Sequence, residues 1–229
     1  MEQQKLLRDN FLHLGRSLIE TGIAWFWSNK KIQSQIKYEI TGLDLLLPKD
    51  SNKGNLIIFK HSQHLELDAR LLAMNAPMYG VSRSHNSASM NKIQDKGRLS
   101  SLKDTADKNN PRKFMKWLKS GKNVLYAIDQ DYGWDHSVRL NFFQQEAATI
   151  TTTKKIIDAT NSNLLFINSY YENNKLILKI ELIDHLELDS TALAQKINDI
   201  MEEKILLHPA EYLWIHRRFK STLGKNFYK

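Results

Sequence analysis

The chain has 229 residues, with 33 Lys+Arg against 25 Asp+Glu, no cysteine and a formal net charge of +8. Without cysteine there is neither a disulfide nor a thiolate metal or iron–sulfur site, so stability must come from a core and any metal from histidine and carboxylate. No stretch reaches the roughly 20 continuous apolar residues of a membrane-spanning helix, and the amino terminus lacks a signal peptide's compact apolar segment with its cleavage site.

The length suits one domain, read here as 1–229, with an N-terminal helix over 1–30 and an α/β core over 31–229. Leu7, Phe11, Leu14, Leu18 and Trp25 recur at helical spacing, which predicts an amphipathic helix from residue 5 to about 29, ending in "AWFWSNKK". Tryptophans beside lysines suit either a helix docked on the core or one lying at a membrane surface.

A strand around "KYEITGL" follows, then the apolar run Leu56, Ile57, Ile58, Phe59, which suits a strand buried on both faces. Next come a helix from about His64 to Met74, a short strand "MYGVSR", a helix within "SASMNKIQDK" and a polar basic loop. A helix from about Pro111 to Lys119 leads into the strand "NVLYAI" and then "DQDYG". The remainder reads as "VRLNFF", a helix near "TITTTKKIIDAT", strands "LLFINSYYE" and "KLILKIELI" joined by the turn "NN", and a helix from about Thr191 to Leu206. Alternation first and a hairpin later predict an α/β fold, a mixed central β-sheet covered by helices.

Positive charge is concentrated. Between Lys92 and Lys122 stand ten basic residues (Lys92, Lys96, Arg98, Lys103, Lys108, Arg112, Lys113, Lys116, Lys119, Lys122) against three acids (Asp95, Asp104, Asp107), and Tyr212 to Lys229 carries five basic residues and no acid. A pI near 9.4 points to anionic partners, although a solvated face accounts equally for any one charge run. No nucleic-acid-binding motif and no aromatic stacking pattern accompany the charge, so nucleic acid is not the expected partner.

The stretch "FKHSQHLELD" places His61, His64, Glu66 and Asp68 just beyond a strand's carboxyl end, where open α/β sheets usually bind ligands. On one continuous helix His61 and Glu66 would stand about 140° apart and could not meet. With His61 on the strand-to-helix turn and Glu66 in the first turns of the helix, the carboxylate could fix one imidazole nitrogen and leave the other as a general base. The alternatives are a metal set of His61, His64 and Glu66, or a purely structural cluster in which Asp68 favours the helix amino terminus.

"HSQHLE" is similar to the H-x4-[D/E] motif of glycerolipid-type acyltransferases. Together with "HLGRSLIE", Arg83, Asn86, Arg98, "DQDYG", "FF" followed by "AATITTT", and "PAEYLWIHRRFK", in that order from about Arg8 to Thr222, it makes the chain resemble the lipid A biosynthesis lauroyl/myristoyl acyltransferases of Gram-negative bacteria. The "F-P-E-G" signature of the glycerophosphate branch is absent. Two features depart from the pattern: relatives usually carry a transmembrane anchor and a further stretch ahead of "HLGRSLIE", and many have a proline where this chain has "SHNSASMN".

The resemblance implies an acyltransferase-like fold and late secondary acylation, in which a fatty acyl chain passes from an acyl carrier protein thioester to a hydroxyl of a lipid A precursor. His61 would take the hydroxyl proton and Glu66 would orient it. Arg98 would receive an oxyanion or a phosphate, and Asp129, Arg83 and Asn86 would position the site. No metal or cofactor is implied, and the setting is the cytoplasmic face of the bacterial inner membrane, with peripheral attachment. The rival readings are a non-catalytic homologue that binds a membrane surface or anionic partner, and an acyltransferase for another glycerophospholipid-type acceptor.

Overall fold

The computed structural model describes residues 2–47, 53–83 and 87–228. In chain order these form α1 (Glu2–Phe26), α2 (Asn29–Gln35), β1 (Tyr38–Thr41), β2 (Asn55–Phe59), α3 (Leu65–Asn75), β3 (Met78–Ser82), α4 (Ala88–Arg98), β4 (Asp104–Asp107), α5 (Pro111–Lys119) and β5 (Asn123–Ala127). There follow β6 (Val138–Phe142), β7 (Gln145–Thr149), α6 (Thr152–Thr160), β8 (Asn163–Glu172), β9 (Lys175–Leu182), α7 (Ser190–Leu207) and α8 (Lys220–Leu223).

Seven strands form one sheet in the order β1-β9-β8-β2-β5-β3-β4, and β6 with β7 forms a separate hairpin. Every pairing in the large sheet is parallel except β8 with β9, so the mixed α/β architecture expected from the alternation of elements is what forms. Leu56, Ile57 and Ile58 have no exposed surface, because the sheet is covered on both faces. Leu56, Ile58, Val124 and Tyr126 face one core with Phe114, Leu118, Ile157 and Met201 from α5, α6 and α7. Ile57, Leu125 and Leu165 face the other, with Ala24, Ile32, Leu67 and Leu71 from α1, α2 and α3. The two-residue strand period sorts alternate side chains into the two layers.

Three local readings change. The amino-terminal helix ends at Phe26 rather than near 29, and Ser28, whose hydroxyl accepts from the Lys31 N–H at 3.3 Å, starts a new helix at Asn29. The basic loop contains the edge strand β4, whose sequence "DTAD" has little β preference and pairs only through backbone register with β3. "QEAAT" is strand β7 instead of the approach to a helix. It turns back on β6 through Phe143 and Gln144, both in the left-handed region at φ 53° and 59°, where no Gly or Asn marked a hairpin. By contrast Asn173 and Asn174, at φ 48° and 59°, are residues that tolerate that conformation, and they close β8 onto β9.

Under the sheet's carboxyl edge lies a buried ionic cluster. His64 Nδ1 stands 3.0 Å from Asp68 and its Nε2 3.0 Å from Glu211, so this imidazole ties α3 to the segment after α7. Burial alone would depress the His64 pKa, but the Asp68 and Glu211 carboxylates outweigh it and hold it up at about 9. Lys60, also buried, donates to Asn168 Oδ1 and the Ser169 carbonyl, each at 2.8 Å, and burial pulls its pKa down to about 8.

A pH dependence follows. His64 binds its proton more tightly folded than unfolded, so its contribution is complete below its ordinary value of 6.5 and is lost as pH rises towards about 9. Lys60 acts in the opposite sense, and only above about 8. We therefore predict that the urea midpoint of the wild type falls between about pH 6.5 and 8, and that His64→Gln abolishes that slope. At roughly 1.4 kcal/mol per pKa unit, the full effect has an upper bound of about 3.5 kcal/mol.

Candidate active site

Parallel register builds the site. Phe59 lies opposite Ala127, and His61 and Asp129 each follow two residues later, so the β2 and β5 exits bring them side by side. Asp129 Oδ1 meets His61 Nδ1 in a very short hydrogen bond, and Asp129 Oδ2 accepts from the His61 backbone N–H at 2.9 Å. The third donor is remote in sequence: Tyr212 Oη donates to the same Oδ2 at 3.0 Å. Tyr212 is brought there because the segment after α7 runs beside the His61 turn, pairing Ser62 with Tyr212 and donating the Leu213 N–H to the His61 carbonyl at 2.9 Å.

Asp129 is 4% exposed. Burial would push its carboxyl pKa up, yet the contacts from His61 and the Tyr212 hydroxyl hold it down at about 2. Tyr212 itself is pushed well above the usual phenol value by burial and by Asp129, so it remains a donor. A carboxylate at Nδ1 fixes the proton there and leaves His61 Nε2 as the basic nitrogen of the neutral ring.

That differs from the expected arrangement, in which Glu66 orients His61. Glu66 lies in the first turn of α3 and faces α4 and α1, where its carboxylate accepts from Arg98 Nε and Nη2 and, at 2.7 Å, from Trp25 Nε1. Asp129, expected only to position the site, makes the imidazole contact. His61, His64 and Glu66 therefore point to three different sets of partners, and among the described residues no group of three such side chains is arranged to hold a metal.

Arg98 and Arg83 line the same cavity of about 360 Å³ as His61, together with Lys108, Gln130, Tyr132 and His216. Arg98 is not a free cation there, since two of its nitrogens are engaged by Glu66. Asn86 lies outside the described residues. Sequence reasoning assigned no role to Tyr212, Gln130 or His216. The last two touch the His61 ring: Gln130 Nε2 is 3.1 Å from His61 Nε2, and the two imidazole centroids are 4.5 Å apart. All three lay within stretches quoted for the resemblance, but a loop glutamine and a tail histidine carry no local signal of where the chain folds back.

The sequence over residues 1–221 matches the family of bacterial lipid A biosynthesis acyltransferases. The chain belongs to that family. It is 34% identical over 226 residues to the lipid A biosynthesis palmitoleoyltransferase of Escherichia coli (strain K12), covering 96% of this chain and 73% of the relative. The lipid A biosynthesis lauroyltransferase of the same organism is 33% identical over 227 residues, covering 96% and 73% of the two chains. The lipid A biosynthesis acyltransferase of Haemophilus influenzae is 34% identical over 227 residues, with coverage of 96% and 72%.

The sequence left Trp25 free either to dock on the core or to meet a membrane. Its indole is turned inward onto Glu66 and lies against Gly97, where an added Cβ would stand 2.3 Å from the Trp25 Cγ. Trp27 is partly buried under Lys31, whose Nζ lies 3.9 Å from the ring centroid. The pair thus packs against the core where α1 ends, and is not an exposed aromatic edge.

The role of Tyr212 is testable without substrate. Tyr212→Phe keeps the ring and removes one of three donors to a buried carboxylate, which should cost about 1.5–3 kcal/mol in urea unfolding at neutral pH. An unchanged midpoint would mean that the hydroxyl contributes nothing to holding Asp129.

Proposed function

We propose that this protein transfers a fatty acyl chain from an acyl carrier protein thioester to a hydroxyl on an acyl chain of a lipid A precursor. The observation that carries the reading is the buried Asp129–His61 pair, with Nε2 turned to a cavity edged by Arg83, Arg98 and Lys108. A base beside cations is what a hydroxyl on a phosphorylated lipid requires.

In the proposed reaction His61 Nε2 takes the hydroxyl proton as that oxygen forms its bond to the thioester carbon. The carbonyl π electrons move to oxygen; when they return, the C–S bond breaks and the thiolate accepts the proton from His61. Asp129 keeps the ring in the required tautomer and stabilises the transient imidazolium. Glu66 and Arg98 act as a unit: the acid orients Arg98 at the cavity wall, where it serves a phosphate of the lipid.

Two further cavities favour a reaction between two acyl chains. One, about 470 Å³, shares Lys108, Tyr126 and Tyr132 with the His61 cavity and is floored by Phe114, Met115, Ile150 and Ile156. The other, about 540 Å³, shares His216 and is walled by Phe142, Trp214, Phe219 and Phe227. In this reading the donor chain fills one and the acceptor's hydroxyacyl chain the other, so both meet at His61. The basic segments recognise the acidic carrier protein and the lipid phosphates.

The cytoplasmic face of the inner membrane is the proposed setting, with α1 as the contact. Its outward face is apolar, with Leu7, Phe11, Leu18, Ile19 and Phe26 between 59% and 74% exposed, while Glu20 and Ala24 turn to the protein. An exposed apolar helix face of this kind suits a surface-lying contact, and no helix among the described residues is long and apolar enough to cross a membrane.

Incubation with carrier proteins bearing different chains and a lipid A precursor, read by mass spectrometry of the lipid, tests the reading directly. The expected result is one acyl mass increment, lost by about 10²–10⁴-fold in His61→Ala and in Asp129→Asn with the fold retained. A lipid of unchanged mass with every donor would overturn it. For the membrane, Phe11→Glu with Leu18→Glu should abolish flotation with anionic vesicles and leave the thermal unfolding midpoint in place; undiminished flotation would remove α1 from the contact.

A further inference from the structure

The second imidazole beside His61 is used by nothing described above. His216 lies on the wall shared by the His61 cavity and the aromatic one, and its ring meets that of His61 edge-on at an interplanar angle of 65°. Between them sits the Gln130 carboxamide, its nitrogen 3.1 Å from His61 Nε2 and 3.5 Å from His216 Nδ1.

The Asp129 carboxylate only accepts, so His61 carries its hydrogen on Nδ1 and presents a lone pair at Nε2. Gln130 Nε2 stands near one nitrogen of each ring, so His61 Nε2 and His216 Nδ1 face a common point.

We propose that His216 is a catalytic residue of the acyl transfer, an imidazole whose N–H donates to the thioester carbonyl oxygen as it becomes an oxyanion. The proposal rests on the acyl-transfer reading. The geometry supports it because the hydroxyl oxygen, placed on His61 Nε2 where Gln130 now sits, bonds to the carbonyl carbon, so the oxyanion develops two bonds from that oxygen, beside the point that His216 Nδ1 faces. A donor must lie about 3 Å from it, and a ring centred 4.5 Å from that of His61 is within reach.

The charge state agrees. Burial, followed by the neighbouring His61, holds the His216 imidazole down at about 4, so it is neutral where the reaction runs. A neutral donor stabilises the oxyanion without competing with His61 for the hydroxyl proton. Arg98, the donor expected from sequence, is already held by Glu66.

Two substitutions separate donation from packing. His216→Phe keeps a ring against His61 and removes the N–H; His216→Gln keeps an N–H and removes the ring. We expect the Phe variant to lose about 10²–10³-fold in kcat with KM little changed, and the Gln variant to recover most of that loss. A Phe variant with wild-type kcat, or equal losses in both, overturns the proposal. Should the Phe variant fail to fold, nitrogen-15 spectra of the wild-type imidazoles decide: a neutral His216 ring supports it, and a doubly protonated ring overturns it. Wild-type protein that transfers no acyl group would sink the functional reading itself, an outcome distinct from an active wild type indifferent to His216.

Discussion

One buried carboxylate organises this end of the molecule. Asp129 sits at the exit of β5, its two oxygens receive the His61 imidazole, the His61 backbone N–H and the Tyr212 hydroxyl, and these three donors come from two separate parts of the chain. An unpaired carboxylate at this depth would be costly, so each donor is held by the others' presence. The β2 exit, the β5 exit and the segment after α7 are thereby locked together, and the reactive imidazole inherits its orientation from the lock. Beneath it, His64 between Asp68 and Glu211 repeats the same device in the adjoining turn.

Much of the architecture could be read from the chain because the strands and helices obey different periods. The uninterrupted apolar runs of β2 and β5 announced strands buried on both faces, while Pro111 marked the start of α5 and Asn173–Asn174 the join of β8 to β9 through backbone chemistry alone. β4 and β7 escaped notice for the complementary reason. Their side chains have weak preferences, and their strand form is imposed by β3 and β6, neighbours that no local pattern reveals.

At the site, proximity along the sequence misled where register would have succeeded. Glu66 is five residues from His61 but on a helix that turns it toward Arg98 and Trp25, whereas Asp129 is 68 residues away and adjacent in space, since β2 and β5 run parallel in register. Had the pairing of the two apolar strands been assumed, counting two residues past each would have found the pair. Tyr212 and His216 depend on a fold-back of the tail, held by backbone hydrogen bonds at Gln63 and Leu213, that has no signature in residue type.

The contact between α1 and α4 has a consequence for how the site tolerates change. Gly97 leaves no room for a side chain because Trp25 occupies that space, and Trp25 and Arg98 grip the same carboxylate. A single methyl group at position 97, on a residue that touches neither imidazole, would shift an indole, loosen Glu66 and change the charge presented by its immediate neighbour, Arg98. Vulnerability here is therefore a property of steric clearance and not of distance from the chemistry. The least conspicuous residue type in the chain guards the electrostatics of the His61 cavity.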